Sequence, residues 1–324
     1  MITWGINALN HDASIAVLEG NDLKFFKRAS EYSGKQGDEH LNSDIIRDAI
    51  SASGYRGPST IAWYERPLLK KTRQLYAGQY GQAFDWSLMP KRYMKSLNLG
   101  YAKMQYMDHH KSHAAAGFFT SPFDKAVVVV LDAIGEWESA SIWRGEGTKL
   151  TKIWSTSYPN SLGLFYSAFT QLIGYKPLAE EHLLQRDSEL GDPAVFYKQV
   201  KEYFESPMQL RMNLHTGVYD WPTEINEQTK YDIAAAVQRV FEEEADWVNT
   251  FAQLAGGSNN IVYMGGCAMN SKYNAKMVDH WQGVWSLPVP GDASSAIGAA
   301  LLSANTRIDW KGPMAKHIEI KAKR

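Results

Sequence analysis

Three of the chain's nine histidines fall within five residues, in Met107-Asp108-His109-His110-Lys111-Ser112-His113, directly ahead of the small apolar run Ala114-Ala115-Ala116-Gly117. Aspartate is a preferred helix N-cap, so a helix opening after Asp108 places His109 and His113 one turn apart on one face and turns His110 elsewhere. That spacing suits two imidazoles converging on one metal ion, although it also arises by chance. Two carboxylates stand where such a site would need them. Asp132 ends the apolar run VVVVL and precedes Ala-Ile-Gly, at the carboxyl end of a central strand, where α/β folds present their ligands. Asp292, in Gly291-Asp292-Ala293-Ser294, lies between a strand and a helix N-terminus and reads equally well as a plain N-cap. Two imidazoles and two carboxylates make a mixed nitrogen and oxygen site for a borderline divalent ion such as iron(II), manganese or zinc, with positions left for a ligand.

Other residues carry weaker signals. Gly265-Gly266 follow the strand NNIVYM and open a helix, so their amides could face a phosphate or let a nucleoside approach the backbone, and a simple strand-to-helix turn explains them as well. Gly163 and Ser167, in SLGLFYSAFT, mark a helix N-terminus suited to phosphate or ribose, or a capped core helix. Asn270 holds either a nucleotide or the helix start. His11 falls in the tight turn HDAS between two strands. Cys267 stands beside the glycines with no histidine near it in sequence, which reads as a small buried residue rather than a nucleophile. SGKQG is not a P-loop, because the preceding glycine and the following Ser or Thr are missing.

The elements that must position these residues come in two copies of one pattern. ITWGIN, ASIAVLEG and DLKFFKRA read as three strands, separated by Asn-His-Asp and Gly-Asn-Asp turn signals. A helix (42–53), a short strand (60–64), a poorly patterned stretch rich in Lys, Arg and aromatics (66–101), a strand (104–107) and the histidine helix follow. KAVVVVLDAIG, ESASIWRGE and TKLTKIWSTS repeat the three strands. After them come the helix SLGLFYSAFTQLIG, a long amphipathic helix (229–256) ended by glycine, the strand NNIVYMGG, a helix over 267–280, the strand GVWSLPVP and a final helix, GDASSAIGAALLSAN. The end, AKHIEIKAKR, reads as a short strand and a solvated basic tail. This pattern predicts an α/β chain with a duplicated actin-like ATPase fold (ASKHA, ribonuclease H-like) and a ligand cleft between its halves, 1–124 and 125–324.

Composition narrows the function classes. At 324 residues and 44% hydrophobic content the chain can bury a large core. Thirty-four basic side chains nearly balance 35 acidic ones, so no global field argues for nucleic acid or an anionic membrane surface. The single cysteine excludes an intrachain disulfide framework and fits a reducing compartment. The N-terminus shows no basic region followed by a long apolar run, and no apolar stretch is long enough to span a bilayer. A cytoplasmic protein is expected.

Spread along the chain in one order are GINALNHDAS, RASEYSGK, HHKSHAAAGFFTSPF, LDAIGEWES, SLGLFYSAFTQLIGYKP, DIAAAVQ, GGCAMNSKYNAKM and VPGDASSAIGAAL. On these segments the chain resembles the NodU/CmcH/TobZ carbamoyltransferases, which are related to the threonylcarbamoyl-transferring tRNA-modification enzymes. The resemblance implies that His109, His113, Asp132 and Asp292 bind a metal, iron(II) favoured, that holds the phosphate of an ATP-derived carbamoyl-adenylate. It implies acid/base or oxyanion work for His11 at the carbamoyl carbon, and nucleotide contacts for Gly163, Ser167, Gly265, Gly266 and Asn270. Lys35 and Arg73 fall where it suggests cations near the carbamoyl-phosphoryl group or the acceptor, although such side chains in polar stretches are usually just solvated. The chemistry is consistent: a mixed anhydride of carbamate and AMP is already activated, so the protein need only hold the phosphate, polarise the carbonyl and deprotonate an acceptor hydroxyl.

Two departures matter. Full members of the family continue into an adenylate-forming domain, and this sequence matches the transferase part alone, so the adenylate is expected from a separate protein, from another route, or not at all. Second, EEHLLQRDSELGDP replaces small and apolar residues of the family pattern after GYKP, and Arg186 there is expected to obstruct or remodel the pocket or leave it silent. The expected activity is carbamoyl transfer to a hydroxyl of a small-molecule or sugar acceptor. Transfer directed at tRNA with a partner subunit and a silent nucleotide-binding regulatory domain are the alternatives. The near-zero net charge speaks against direct tRNA binding. A sugar-kinase reading lacks a catalytic-base motif and leaves the histidine pair unexplained. The basic and aromatic segment 70–92 is read as an acceptor-side insertion, and an oligomer is compatible with all of this.

Overall fold

The computed structural model describes residues 2–312; the strand and tail expected over 315–324 lie outside the described residues. The chain opens with the expected meander, β1 (Ile2–Asn7), β2 (Ser14–Glu19) and β3 (Asp22–Arg28). A single turn α1 (Ser30–Ser33) follows, then α2 (Ser43–Ala52), capped by the Asn42 side chain on the amides of Asp44 and Ile45, and β4 (Thr60–Trp63). The stretch without clear periodicity contains three short helices, α3 (Pro67–Tyr76), α4 (Tyr80–Phe84) and α5 (Pro90–Ser96). Proline opens α3 and α5, where its missing N–H costs nothing. Tyr76, Tyr80 and Phe84 face solvent while the Lys71 ammonium is buried on the carbonyls of Gln82, Ala83 and Asp85, so polarity does not report which face is inside. β5 (Lys103–Tyr106) and α6 (His109–Phe118) close this half.

The second half repeats the meander with β6 (Lys125–Leu131), β7 (Glu138–Glu146) and β8 (Lys149–Ser157). The helices α7 (Leu162–Leu172), α8 (Glu181–Asp187) and α9 (Pro193–Lys201) follow, with a small hairpin of β9 (Phe204–Ser206) and β10 (Gln209–Leu210). The long α10 (Glu227–Gly256) starts at a capping box of Asn226 and Thr229 and stops at Gly257, which is left-handed with φ 69°. β11 (Asn260–Met264) leads to α11 (Ser271–Met277). One helix was expected over 267–280, but Asn270 is extended and caps the Tyr273 amide, so a 3-10 turn precedes α11 and another follows it. β12 (Gly283–Trp285) and α12 (Asp292–Ala304) complete the chain.

The two sheets have the same topology. Their orders are β3-β2-β1-β4-β5 and β12-β11-β6-β7-β8, each with an antiparallel meander and two parallel strands added beside its first strand. This is the duplicated actin-like arrangement that the sequence pattern predicts. The VVVV run of β6 is apolar throughout because both faces are covered: Val127 and Val129 pack into the core with α7 and α10, Val128 and Val130 into the layer holding α6 and α12. That layer lies between the sheets. Gly117 of α6 approaches Val262 and Met264 of β11, and Gly5 of β1 approaches the Ala296 carbonyl of α12. Thus α6 leans on the second sheet and α12 on the first. No helix among the described residues is long and apolar enough to cross a membrane.

Candidate metal centre

The Asp108 side chain accepts the Lys111 amide at 3.0 Å and starts α6, as expected, which brings the Nε2 atoms of His109 and His113 to 3.2 Å from each other. His110 leaves this face; its Nδ1 lies 2.8 Å from Ser141 Oγ, and burial holds the ring well below the usual imidazole range, hence neutral. Asp132 comes just after β6. Its Oδ2 is 3.1 Å from His109 Nε2 and 3.7 Å from His113 Nε2, while Oδ1 accepts the Gly266 amide at 3.0 Å.

Asp292 is not an N-cap. Gly291 takes that position, and the Asp292 carboxylate makes no bond back to its own helix. Oδ1 instead lies 3.1 Å from His113 Nε2 and 3.5 Å from His109 Nε2, and Oδ2 accepts Asn10 Nδ2 at 3.0 Å. All four side chains are buried, and their candidate ligand atoms lie within 4.8 Å of one another.

The donor set fits a divalent ion. Ligands about 2.1 Å from a metal stand about 3.0 Å apart at right angles, near the spacing seen here. Two imidazole nitrogens facing each other and two carboxylates otherwise need extra protons to avoid repulsion, and the local electrostatics favour holding them. Burial pulls the His109 ring down, yet Asp292 and Asp132 outweigh it and hold it up at about 10. Burial likewise pushes the carboxylates up, but His109 and His113 keep Asp132 well below the usual range, and His11 and His109 bring Asp292 to about 2. Nδ1 of both rings has no partner among the described residues; Tyr64 lies 5.3 Å from the His109 ring.

His11 sits at the rim of this cluster, in a β1–β2 turn where Leu9 and Asp12 adopt left-handed conformations. Its Nε2 is 3.5 Å from Asp292 Oδ2 and its Nδ1 is 3.3 Å from Asp12 Oδ2. Burial lowers its pKa, but Asp292 and Asp12 overcome that and raise it to about 9. The Asn7 side chain shapes the turn by donating to the Asp12 carbonyl at 2.9 Å. Asn10 and Glu136, which accepts the His109 amide, are contacts that the sequence reading missed. Asn10 is adjacent to His11 and offered a local hint; Glu136 offered none.

The remaining candidates are placed as follows. Gly265 has φ 93°, and a Cβ there would lie 2.1 Å from the Leu131 carbonyl, so only glycine fits. Its amide donates to Pro290 O and that of Gly266 to Asp132, so both amides are engaged within the protein and the glycines serve close backbone packing rather than free donation. Gly163 lets α7 press against Asp132 and Ala133, its Cβ position being 2.7 Å from Ala133 Cα. Ser167 Oγ donates to Glu181 at 2.6 Å. Asn270 is the cap of α11 and exchanges amide hydrogen bonds with Gln238. A cleft of about 370 Å³ lies beyond it, lined by Ser188, Gln238, Arg239, Glu242, Lys272 and Lys276 among others. Burial pushes the Cys267 thiol well up, which makes it a poor nucleophile.

Lys35 is exposed, 4.0 Å from Asp38, in a loop whose Gly37 approaches His11. Arg73 is buried on α3, bonded to Gln79 at 2.7 Å, with Nε unpartnered among the described residues. Neither contacts the four-residue cluster. Arg186 does not reach it either: its guanidinium turns outward, 2.7 Å from Asp187 and 3.1 Å from Tyr175 Oη. Asp187 thus holds the side chain away from the four-residue cluster.

Comparison with known proteins bears on the family and the fold. The chain is 28% identical to the uncharacterized protein sll1178 of Synechocystis, over 92% of this chain and 56% of that protein. It is 22% identical to nodulation protein U of Rhizobium fredii, over 90% of this chain and 58% of that one. The chain thus spans little more than half the length of these relatives. A structure of the activator of 2-hydroxyisocaproyl-CoA dehydratase from Clostridium difficile, with bound ADPNP, shares the fold at a TM-score of 0.50 and 13% identity, covering 94% of both chains. The family described as carbamoyltransferase N-terminus matches residues 63–301, a span that includes all four residues of the cluster, and the chain belongs to that family.

Proposed function

We propose that this chain transfers a carbamoyl group from a carbamoyl-adenylate to a hydroxyl of a small-molecule or sugar acceptor, with the adenylate formed at a site outside these residues. The observation that carries this reading is the convergence of His109, His113, Asp132 and Asp292 on one point beside His11. These four would hold the metal, iron(II) favoured over manganese or zinc. Bound there, a divalent cation supplies positive charge to the phosphate of the donor.

The chain's own residues prepare the rest. The Gly266 amide fixes one oxygen of Asp132 and the Asn10 amide fixes one of Asp292, so each carboxylate keeps its other oxygen for the cluster. His11 Nε2 stands at the rim of the cluster, 3.5 Å from Asp292 Oδ2, where the imidazole can donate to the developing carbamoyl oxyanion or take the acceptor proton. The acceptor oxygen bonds to the carbamoyl carbon, the bond from that carbon to the AMP oxygen breaks, and the products are the O-carbamoyl acceptor, AMP and a proton. The cleft beside Gln238 and Lys272 is the place for the nucleoside.

The test is incubation of the metal-loaded chain with carbamoyl phosphate, ATP and candidate acceptors, with and without a separate adenylate-forming protein. Carbamoylated acceptor is expected only when that protein is present. Turnover by the chain alone refutes the division of labour, and no product from preformed carbamoyl-adenylate refutes the transferase reading.

A further inference from the structure

The turn between β6 and β7 holds a buried acid with an unusual set of partners. Glu136 is 5% exposed, and its carboxylate accepts the His109 amide through both oxygens, at 3.3 and 3.1 Å, and the Arg66 amide at 2.6 Å. His109 is the first residue of α6, and Arg66 immediately precedes α3. One carboxylate therefore serves the N-termini of two helices that are remote in sequence, a favourable place for negative charge. Its neighbours hold the same two elements. A Cβ on Gly135 would lie 2.9 Å from His109 Cδ2, so the glycine gives that ring its space. Trp137 Nε1 donates to Thr72 Oγ1 at 3.1 Å, and its ring lies 5.4 Å from that of Tyr76, both on α3.

Helix stability alone does not call for Glu136, since Asp108 already caps α6 on the Lys111 amide. What Glu136 adds is the position of one backbone atom, the amide nitrogen of His109, from which the direction of that side chain follows. Burying a carboxylate without strong partners is costly, so its three amide contacts point to a constraint on geometry rather than to packing.

We propose that Glu136 is a positioning residue of the metal centre, fixing His109 toward the shared ligand point and tying that point to α3, the helix that carries Arg73. This rests on the metal-binding reading given above. Contacts that orient metal ligands are typically worth about 10–100-fold in affinity.

The experiment measures Zn²⁺ affinity by competition with a chelator, and thermal stability, in the full chain and in Glu136→Ala, Glu136→Gln and Asp108→Ala. Glu136→Ala is expected to weaken Zn²⁺ binding by about 10–100-fold. Glu136→Gln retains an oxygen for both amides and should lose less, and it serves as the informative variant where the alanine substitution does not fold. Asp108→Ala removes a cap without touching the His109 amide, so it should lower Tm while keeping the affinity. The Co²⁺-substituted protein gives a second readout: its visible absorption bands should move in the Glu136 variants and stay in place in Asp108→Ala. Wild-type affinity and an unshifted Co²⁺ spectrum in both Glu136 variants overturn the positioning role alone. So does an affinity loss in Asp108→Ala as large as that in Glu136→Ala, since stability then explains both. Absence of Zn²⁺ and Co²⁺ binding in the wild type overturns the metal reading itself.

Discussion

The contact between α6 and α12 sets the distance between the histidines and Asp292, and Gly298→Ala probes it from outside the ligand set. A Cβ on Gly298 would lie 1.8 Å from the Ser112 carbonyl oxygen and 2.7 Å from the Ala116 amide nitrogen. Both are backbone atoms, so no side chain can swing aside. Ordinary contact between carbon and oxygen is about 3.4 Å, which requires the helices to part by roughly 1.5 Å at this crossing, at a cost of about 1–3 kcal/mol for overpacking. If α12 moves as a rod, Asp292 retreats with it and the 3.1 Å separation from His113 grows beyond 4 Å. Two ligands on bonds of about 2.1 Å can stand no more than about 4.2 Å apart, so the ion must give up a ligand or bind in a strained geometry. The expected outcome is a lower Tm together with a metal affinity reduced by at least about tenfold. Thermal unfolding in chelator and calorimetric titration with Mn²⁺ report the two effects separately. Gly81→Ala is the control, because a Cβ there meets nothing within 4 Å. Wild-type Mn²⁺ affinity in a folded Gly298→Ala protein would refute the claim that this helix contact places Asp292.

Removing a ligand outright should be more severe: His113→Ala is expected to abolish binding of about one divalent ion per chain, and equal near-zero metal in wild type and variant by elemental analysis would eliminate the site. Metal uptake should release protons, because His109 is raised to about 10 in the ion-free cluster and must lose its proton to become a ligand. Apparent affinity should therefore climb between pH 6 and 9; titrations in buffers of different ionisation enthalpy count the protons, and a flat profile contradicts the shared site. In chelated protein the same shift stabilises the fold fully below the ordinary imidazole value of 6.5, and that contribution fades as the pH rises toward 10, which pH-dependent Tm values would show. Arg186→Gly should leave affinity for AMP-type ligands unchanged, since the guanidinium points away from the cluster and Asp187 keeps Tyr175 and Lys230 as partners. Nucleotide binding that appears only in Arg186→Gly would instead show that the charged segment blocks the native site.

Local chemistry made a good part of this protein legible in its residues alone. The Asp108 cap and the one-turn spacing of His109 and His113 depend on a single helix turn, and the structure has both. The two meanders were readable because strand runs and turn residues are neighbours in sequence, and their repetition pointed to the duplicated fold. The helices over residues 67–96 were not readable, since exposed aromatics and a buried lysine break the usual relation between polarity and burial. Asp292 shows the limit most clearly. Its sequence context allows a cap or a ligand, and the choice falls to Gly291, which takes the cap, and to the Gly298 and Ser112 contact, which brings α12 against α6. Likewise Glu136 and Gly266 act through backbone amides whose partners no side-chain pattern announces. Helix caps and strand periods are decided within a few residues. The meeting of four candidate ligand atoms from three segments is decided by helix and sheet packing, which fixes distances between residues far apart in the chain.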